Sequence, residues 1–510
     1  RHTRSLCDWS SDVCSSDLPK KKIITTPVSG GHGGGKKGGG GPGGSNGAEY
    51  KGNQPPSPWL CGENESEPKP HKTASFVEYL RWMREPNRNP TNGKDPTDPT
   101  TKVKILEMAR EKAKHYDARL KICTERTKAI AADTFQVTCP WRIRVGGHRG
   151  PESILLPAFD ALGMPYISSA TLRGVARNQA VREILAKNSD WQSLIKYDRP
   201  DQETDKKMKK IWSDAHHQLA PYFGSLEADK KDQAGKVIFF DAYPTSGQCL
   251  EMDMANNIWN WEDNIPKYKP NPNSFLSLKE PTFLIGLGLI SGCQDQALLE
   301  QAKKWLIAGL ANGIGSQVNT GYGQLLQENS KQLSKPFLRV KFSLEGQLIH
   351  GYQKAGEWNQ EKRCFNNGGN QAEVRPIAFK SMLRYWFRVF ALGVIPPAEV
   401  QIWEGRLFGS IQPHQYQGYL RVNILNAELV RPEARSNRDG KNDKSGLMKG
   451  TLALFWSSEA PTQINELQHL LKLLTWLMFN LGGVGLGARR PCHSRKGSAS
   501  QRAQIGRAHV

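Results

Sequence analysis

Two stretches of the sequence bring histidine and carboxylate together. "GGHRGPESILLPAFD" carries His148, Glu152 and Asp160, and "IHGYQKAGEW" carries His350 and Glu357. A histidine near a 2′-hydroxyl is the base that a metal-independent ribonuclease needs, whereas a metal nuclease needs clustered carboxylates. His148, Asp160 and His350 are therefore the catalytic candidates, although an aspartate within "LPAFDALGMPY" more often caps a helix or sits buried. Asp241 in "FFDAYP" follows a strand and is expected to end it with an Asx-type turn. Outside the first eighteen residues the cysteines (Cys61, Cys123, Cys139, Cys249, Cys293, Cys364 and Cys492) form no C-x-x-C. Cys492 and His493 lack a second ligand pair, so no metal ion is expected.

A second chemistry belongs to glycine. "NGIGSQVNTGYGQL" places Gly313, Gly315, Gly321 and Gly323 within eleven residues, and "LGGVGLGARRPCHSRKGS" places Gly483, Gly485 and Gly487 ahead of Arg489, Arg490, Arg495 and Lys496. Such loops can turn backbone N–H groups toward phosphates without reading bases. Neither contains G-x-x-x-x-G-K-[ST], and the acidic partner of a dinucleotide fingerprint is missing, so no cofactor is expected. Gly30 to Lys36 comes near a phosphate loop, but Lys37 stands where Ser or Thr would bind magnesium. Tyr322 would stack on a base or ribose. The alternative is that the glycines only make tight turns between core elements and Tyr322 packs inside. Arg142 and Arg144 share one strand face beside "GGHRG", where His148 and Arg149 could meet the same ligand.

The 510 residues carry a formal net charge of +21, which points to polyanionic partners, nucleic acid before anionic membrane. The longest apolar run, "FLIGLGLI" at 283–290, is too short to cross a bilayer. Scattered, unpaired thiols suit the cytoplasm. "DWSSDVCSSDL" and the terminal "QIGRAHV" look like translated sequencing adapter, so 1–18 and 504–510 are set aside, and no signal peptide is then expected. Residues 19–70, rich in Gly, Pro, Ser, Lys and Asn, cannot bury enough apolar surface to offset chain entropy and are expected to be a disordered tail.

The elements that must position these residues occur twice in one order. "SFVEYLRWMR" (75–84) has helical periodicity, 86–100 breaks it, and one or two basic helices lead into the strand "DTFQVTCPWRIRVGG". The first pass continues with "PYISSATLRGVARNQAVREI" (165–184), a helix bearing Arg173, Arg177 and Arg182. "YFGS" (222–225), "GKVIFFDAYP" (235–244) and the glycine loop follow. The second pass runs from the strand "PFLRVKFSLEG" (336–346) to "VRPIAFKSMLRYWFRVFAL" (374–392), a helix bearing Lys380, Arg384 and Arg388. It ends with "LFGS" (407–410), "GYLRVNIL" (418–425) and the second glycine run. The i, i+4 spacing puts each basic set on one helix face. Such a face is often merely solvated; beside a glycine loop it can also meet phosphates. The order predicts two α+β domains with antiparallel sheets, 71–334 and 335–503.

These motifs resemble the RAMP superfamily of CRISPR-associated proteins. Residues 135–330 are most similar to the sixth subunit of the Cmr (type III-B) complex. "VRPIAFKSMLRYWFRVFA", "RLFGS" and "GLGARRPCHSRKGS" resemble the N-terminal part of its first subunit, as in a fusion of the two. The resemblance implies two tandem ferredoxin-like (RRM-type) domains with glycine-rich loops. It also implies a non-catalytic, RNA-binding subunit with CRISPR guide RNA, target RNA and other Cmr-type effector subunits as partners. A Cas endoribonuclease processing CRISPR RNA, with His148 or His350 as base, is the alternative. Ser168-Ser169 and Ser381 replace glycines or Pro-Gly common in the family, and the second glycine run lacks an aromatic equivalent to Tyr322.

Overall fold

The computed structural model describes residues 71–82, 99–146, 156–194, 201–327, 335–346, 348–359, 364–411, 414–432, 446–461, 464–481, 484 and 507–509. In the first domain, α1 (Phe76–Trp82), α2 (Pro99–Lys112) and α3 (Asp117–Ile130) precede β1 (Asp133–Thr138) and the short β2 (Arg142–Ile143). Four helices follow: α4 (Ser169–Lys187), α5 (Ser189–Leu194), α6 (Gln202–Gln218) and α7 (Ala220–Phe223). Then come β3 (Val237–Phe239), β4 (Tyr243–Pro244), the long hairpin β5 (Leu250–Glu262) and β6 (Ile265–Lys279), β7 (Thr282–Leu289), α8 (Gln296–Asn312) and β8 (Leu326–Gln327). The main sheet has the order β3-β7-β1-β8, with β4 also on β7, while β2, β6 and β5 form a separate sheet.

Alternation along β1 explains how the main sheet is layered. Phe135 and Val137 point inward, while Thr134 and Gln136 are exposed on the other face. Helices α4 and α8 pack on the inward face. They approach closely because Gly309 meets Val175; a Cβ there would lie 2.6 Å from Val175 Cγ1. Helix α3 covers the opposite face over β7, where Gly286 leaves room for Thr127 and Ala131. Helix α4 is started by Ser168, whose hydroxyl accepts from Thr171 N, and by Asp241, whose Oδ1 accepts from Ser169 N at 2.6 Å. Asp241 thus caps the next layer's helix, where a local turn was expected.

In the second domain, β9 (Leu338–Gly346) leads into the hairpin β10 (His350–Asn359) and β11 (Cys364–Ala372). Next come α9 (Pro376–Ala391), α10 (Pro397–Phe408), β12 (Leu420–Arg431), β13 (Gly446–Trp456), α11 (Asn465–Leu481) and β14 (Arg507–His509). Its sheet has the order β12-β13-β9-β14. Setting the hairpins and extra helices aside, both domains run strand, helix, strand, strand, helix, strand. Both sheets place these strands second, third, first, fourth, the fourth strand of the second sheet being supplied by Arg507–His509 from the stretch set aside above as adapter-like, and all their pairings are antiparallel.

The repeated Phe-Gly-Ser and the glycine that opens the following strand have one structural job. Gly224 and Gly409 end α7 and α10 in nearly the same conformation, φ 79° and ψ 152° against φ 85° and ψ 146°. Each lies against the later glycine. A Cβ on Gly235 would lie 2.7 Å from Gly224 N, and one on Gly418 2.6 Å from Gly409 N. A helix end and a strand start cross here at backbone distance, which only glycine permits.

Candidate nucleic-acid interface

The first glycine loop leaves α8 at Gly313 and returns at β8. Several of its donors are spent on the chain's own carbonyls. Gly313 N donates to Leu310 O at 3.0 Å, Ser316 N to Arg144 O at 3.1 Å, Gly321 N to Val318 O at 3.2 Å and Gly323 N to Arg142 O at 2.8 Å. A Cβ on Gly315 would lie 2.3 Å from Arg144 O, and one on Gly323 1.9 Å from Ile314 O. The close approach read from the glycines is therefore to protein backbone, because the loop crosses the end of β2.

The tip of this loop docks into the second domain. Asn319 Nδ2 donates to Gln417 O at 2.7 Å and to Gly418 O at 3.0 Å. Gly321 faces Pro376, Val422 and Asn423, and Asn423 Nδ2 donates to Gln324 Oε1 at 2.9 Å. Arg421 Nη1 donates to Asn312 O at the end of α8, at 2.8 Å. The loop is an interdomain lock.

Beneath it lies a buried ionic cluster. Tyr322, 1% exposed, donates its hydroxyl to Asp253 Oδ2 at 2.8 Å, and its ring meets the edge of Trp141 with centroids 4.7 Å apart. Arg375 donates to Asp253 Oδ1 at 2.6 Å, to Tyr322 Oη at 2.8 Å and to Gly351 O at 2.7 Å. Arg142, 2% exposed, donates to Glu373 Oε1 and to Ser277 Oγ, at 2.8 and 2.9 Å. Burial alone would raise the Asp253 carboxyl, but the Arg375 and Arg142 guanidinium groups outweigh it and hold it below the usual aspartate value. Burial first, and then the Asp253 charge, push the Tyr322 phenol well above its ordinary value. Tyr322 is packed inside, so its expected base stacking has no exposed ring to use. Arg142 is likewise committed to the seam.

The basic helices divide in the same way. On α9, Lys380 is buried and places Nζ 3.3 Å from Asn319 O, and burial drives its pKa well down. Arg388 is buried against Glu404 of α10, with Nη2 2.6 Å from Oε1. Arg384 donates to Gly409 O at 2.5 Å. The three do share one face, as their spacing predicted, but α10 and the glycine loop cover it. On α4, Arg182 reaches Glu459 of the second domain at 3.5 Å, and Arg177 donates to His216 Nδ1 of α6 at 3.1 Å. Arg173 is exposed. Arg144, half-buried, donates to Ser316 Oγ at 3.1 Å and lies 4.9 Å from the Phe275 ring centroid.

Among the catalytic candidates, Asp160 accepts from Leu162 N and Met164 N at 2.9 and 2.8 Å, and from the Tyr243 hydroxyl at 3.1 Å. It organises its own turn. His350 is buried at the start of β10, and Glu357 is exposed on the same strand. His148, Arg149, Glu152, Gly483, Gly485, Gly487, Arg489, Arg490, Arg495 and Lys496 lie outside the described residues, as do 1–70.

Sequence reasoning missed the acids that neutralise the seam, Asp253, Glu373 and Glu404, together with Arg375. It also passed over Arg339 and Lys341 in "LRVKFS" and Lys449 in "LMKGT", which stand exposed on the second sheet. Their signal was present: cations two apart on a strand share one face.

Among the described residues no helix is long and apolar enough to cross a membrane. No curated protein matches the chain. The chain is similar in structure to Cmr6 from Pyrococcus furiosus, with 20% identity over 38% of this chain and 96% of that one, at a TM-score of 0.24. A chain of the type III-B Cmr-beta complex bound to cognate target RNA matches with 16% identity over 47% and 76%, at a TM-score of 0.30. A chain of a Csm–crRNA–target RNA complex of a type III-A CRISPR-Cas system matches with 12% identity over 32% and 52%, at 0.19. The RAMP superfamily model matches residues 134–326, from β1 to the start of β8. That segment, rather more than a third of the chain, is what the chain has in common with the RAMP superfamily.

Proposed function

We propose that the chain is a non-catalytic RNA-binding subunit of a type III CRISPR effector complex, holding guide RNA and the guide–target duplex with two tandem ferredoxin-like units. One observation carries the reading: a RAMP superfamily segment is followed by a second unit of the same strand order, and the two are locked into one body by a buried ionic seam. A fixed pair of such units offers a polyanion one continuous surface, and the net charge of +21 favours that partner. Guide sequence varies, so the grip has to fall on the ribose-phosphate strand. Other Cmr-type subunits would flank the chain in the cytoplasm. The commitment of Asp160 to its own turn and the burial of His350 favour binding over cleavage.

Purifying the protein with its bound nucleic acid and sequencing that RNA tests the proposal. Spacer-bearing guides support it, and random cellular RNA contradicts it. Repeat RNA and guide–target duplex should survive incubation with the protein in Mg²⁺ and in EDTA alike. Cleavage abolished by His148→Ala would instead make the chain a guide-processing ribonuclease.

A further inference from the structure

We infer that the open face of the second sheet is a binding site for the phosphates of a single RNA strand, built by Arg339, Lys341 and Lys449 with Thr451 and Ser343. The register brings these side chains together. Lys341 lies opposite Thr451, Ser343 opposite Lys449, and Arg339 opposite Ala453, so all point to one side of β9 and β13. Arg339, Lys341 and Lys449 are exposed, and among the described residues none of the three is in an ion pair. Of the acids nearby, Glu345 is held by Arg431 at 3.0 Å, and Glu428 lies across from Lys449 on β12 without an ion pair among the described residues.

The duplicated fold supplies an internal comparison. In the first sheet α3 covers the equivalent face over β7, and the outward residues of β1 are the exposed but neutral Thr134 and Gln136. In the second sheet, the part of this face near the seam is closed by the first domain at Arg421 and Asn423. Among the described residues the remainder is open and cationic. Lys449 stands on β13, which has neighbours on both sides, so its charge does not serve to guard a sheet edge. Lys341 and Lys449 are diagonal neighbours, each opposite a hydroxyl residue across β9 and β13, and a polyanion would relieve their repulsion. The one aromatic ring among the facing pairs, Phe455, is buried, so the face grips phosphate and leaves bases unread.

The site rests on the RNA-binding function proposed above, and the test separates the two. The full chain is titrated with a fluorescent oligouridylate of about twenty nucleotides, long enough to span such a face, over a range of salt concentrations. The triple variant Arg339→Gln, Lys341→Gln, Lys449→Gln should bind at least about tenfold more weakly. Its log–log salt slope should be shallower by about 2, since each lost phosphate contact removes about 0.7. A control variant with the same charge loss, Lys206→Gln, Lys210→Gln, Lys230→Gln on exposed positions of the first domain, should bind like the parent. Equal weakening by both variants, or none by the first, overturns the site while leaving RNA binding in place. Loss of a co-purifying effector subunit with unchanged RNA affinity also overturns it and gives the face to an acidic protein. A parent chain that binds no RNA overturns the functional proposal, and the site with it.

Discussion

Arg375 and Asp253 meet across the domain seam, Nη2 to Oδ1 at 2.6 Å, one 1% exposed and the other fully buried. Two desolvated charges hold only when most of their hydrogen bonds are made. Here the hydroxyl of Tyr322 completes the carboxylate, and the Gly351 carbonyl accepts from the other arm of the guanidinium. Removing either charge strands the other. Asp253→Ala and Arg375→Ala should each cost about 3–5 kcal/mol in urea unfolding, and the double variant clearly less than their sum. Additive losses would mean that the pair is not coupled.

Tyr322→Phe distinguishes a seam residue from a base-stacking one. The ring is kept and only the hydroxyl is removed, so stacking on RNA would survive and stability would be untouched. With the hydroxyl bonded to Asp253 and Arg375, stability should instead fall by about 1–3 kcal/mol while RNA affinity stays at the parent value.

Gly323→Ala should be among the most damaging small substitutions. Its φ of +68° disfavours any side chain, and the new Cβ would lie 1.9 Å from Ile314 O. Gly292 has φ +83° but nothing within 4 Å, so alanine there costs only the backbone strain, about 1 kcal/mol. The difference between the two in thermal unfolding reads the crowding alone. Because the loop locks the domains, Gly323→Ala should also speed proteolysis between them.

The duplicated order of elements was legible because it depends on local signals: alternation in β1 and β9, the periodicity of α4 and α9, and glycines where a helix end crosses a strand. The fate of the cations was not. Lys380, Arg384 and Arg388 share a face, and spacing shows this, but nothing in the spacing says that Glu404 will cover it. Arg142 finds Glu373 and Asp253 far along the chain, and such partners have no sequence signature. The glycine loop was recognised as a place of close approach, yet the same dihedrals serve a phosphate or a neighbouring carbonyl. Asp263 and Asn264, with φ of 51° and 60°, mark the turn of the β5–β6 hairpin that carries Asp253, and that Asx pair was the one available clue.

His216 gives the first domain a pH dependence of definite sign. It lies beside Trp212, with ring centroids 3.8 Å apart, and accepts from Arg177. Burial first, then the charges of Arg177 and His217, lower its pKa from 6.5 to about 4. The unfolded chain therefore binds a proton more readily than the folded one between these values. Stability is fully present above pH 6.5 and declines as pH falls toward about 4. After solvent screening the loss attributable to this residue is about 1–2 kcal/mol. His216→Gln, which stays neutral and can still accept from Arg177, should flatten that part of the stability–pH curve. The steeper loss at lower pH, where Asp253 takes up its proton, should remain in the variant. An unchanged slope between pH 4 and 6.5 would assign the acid sensitivity to some other group.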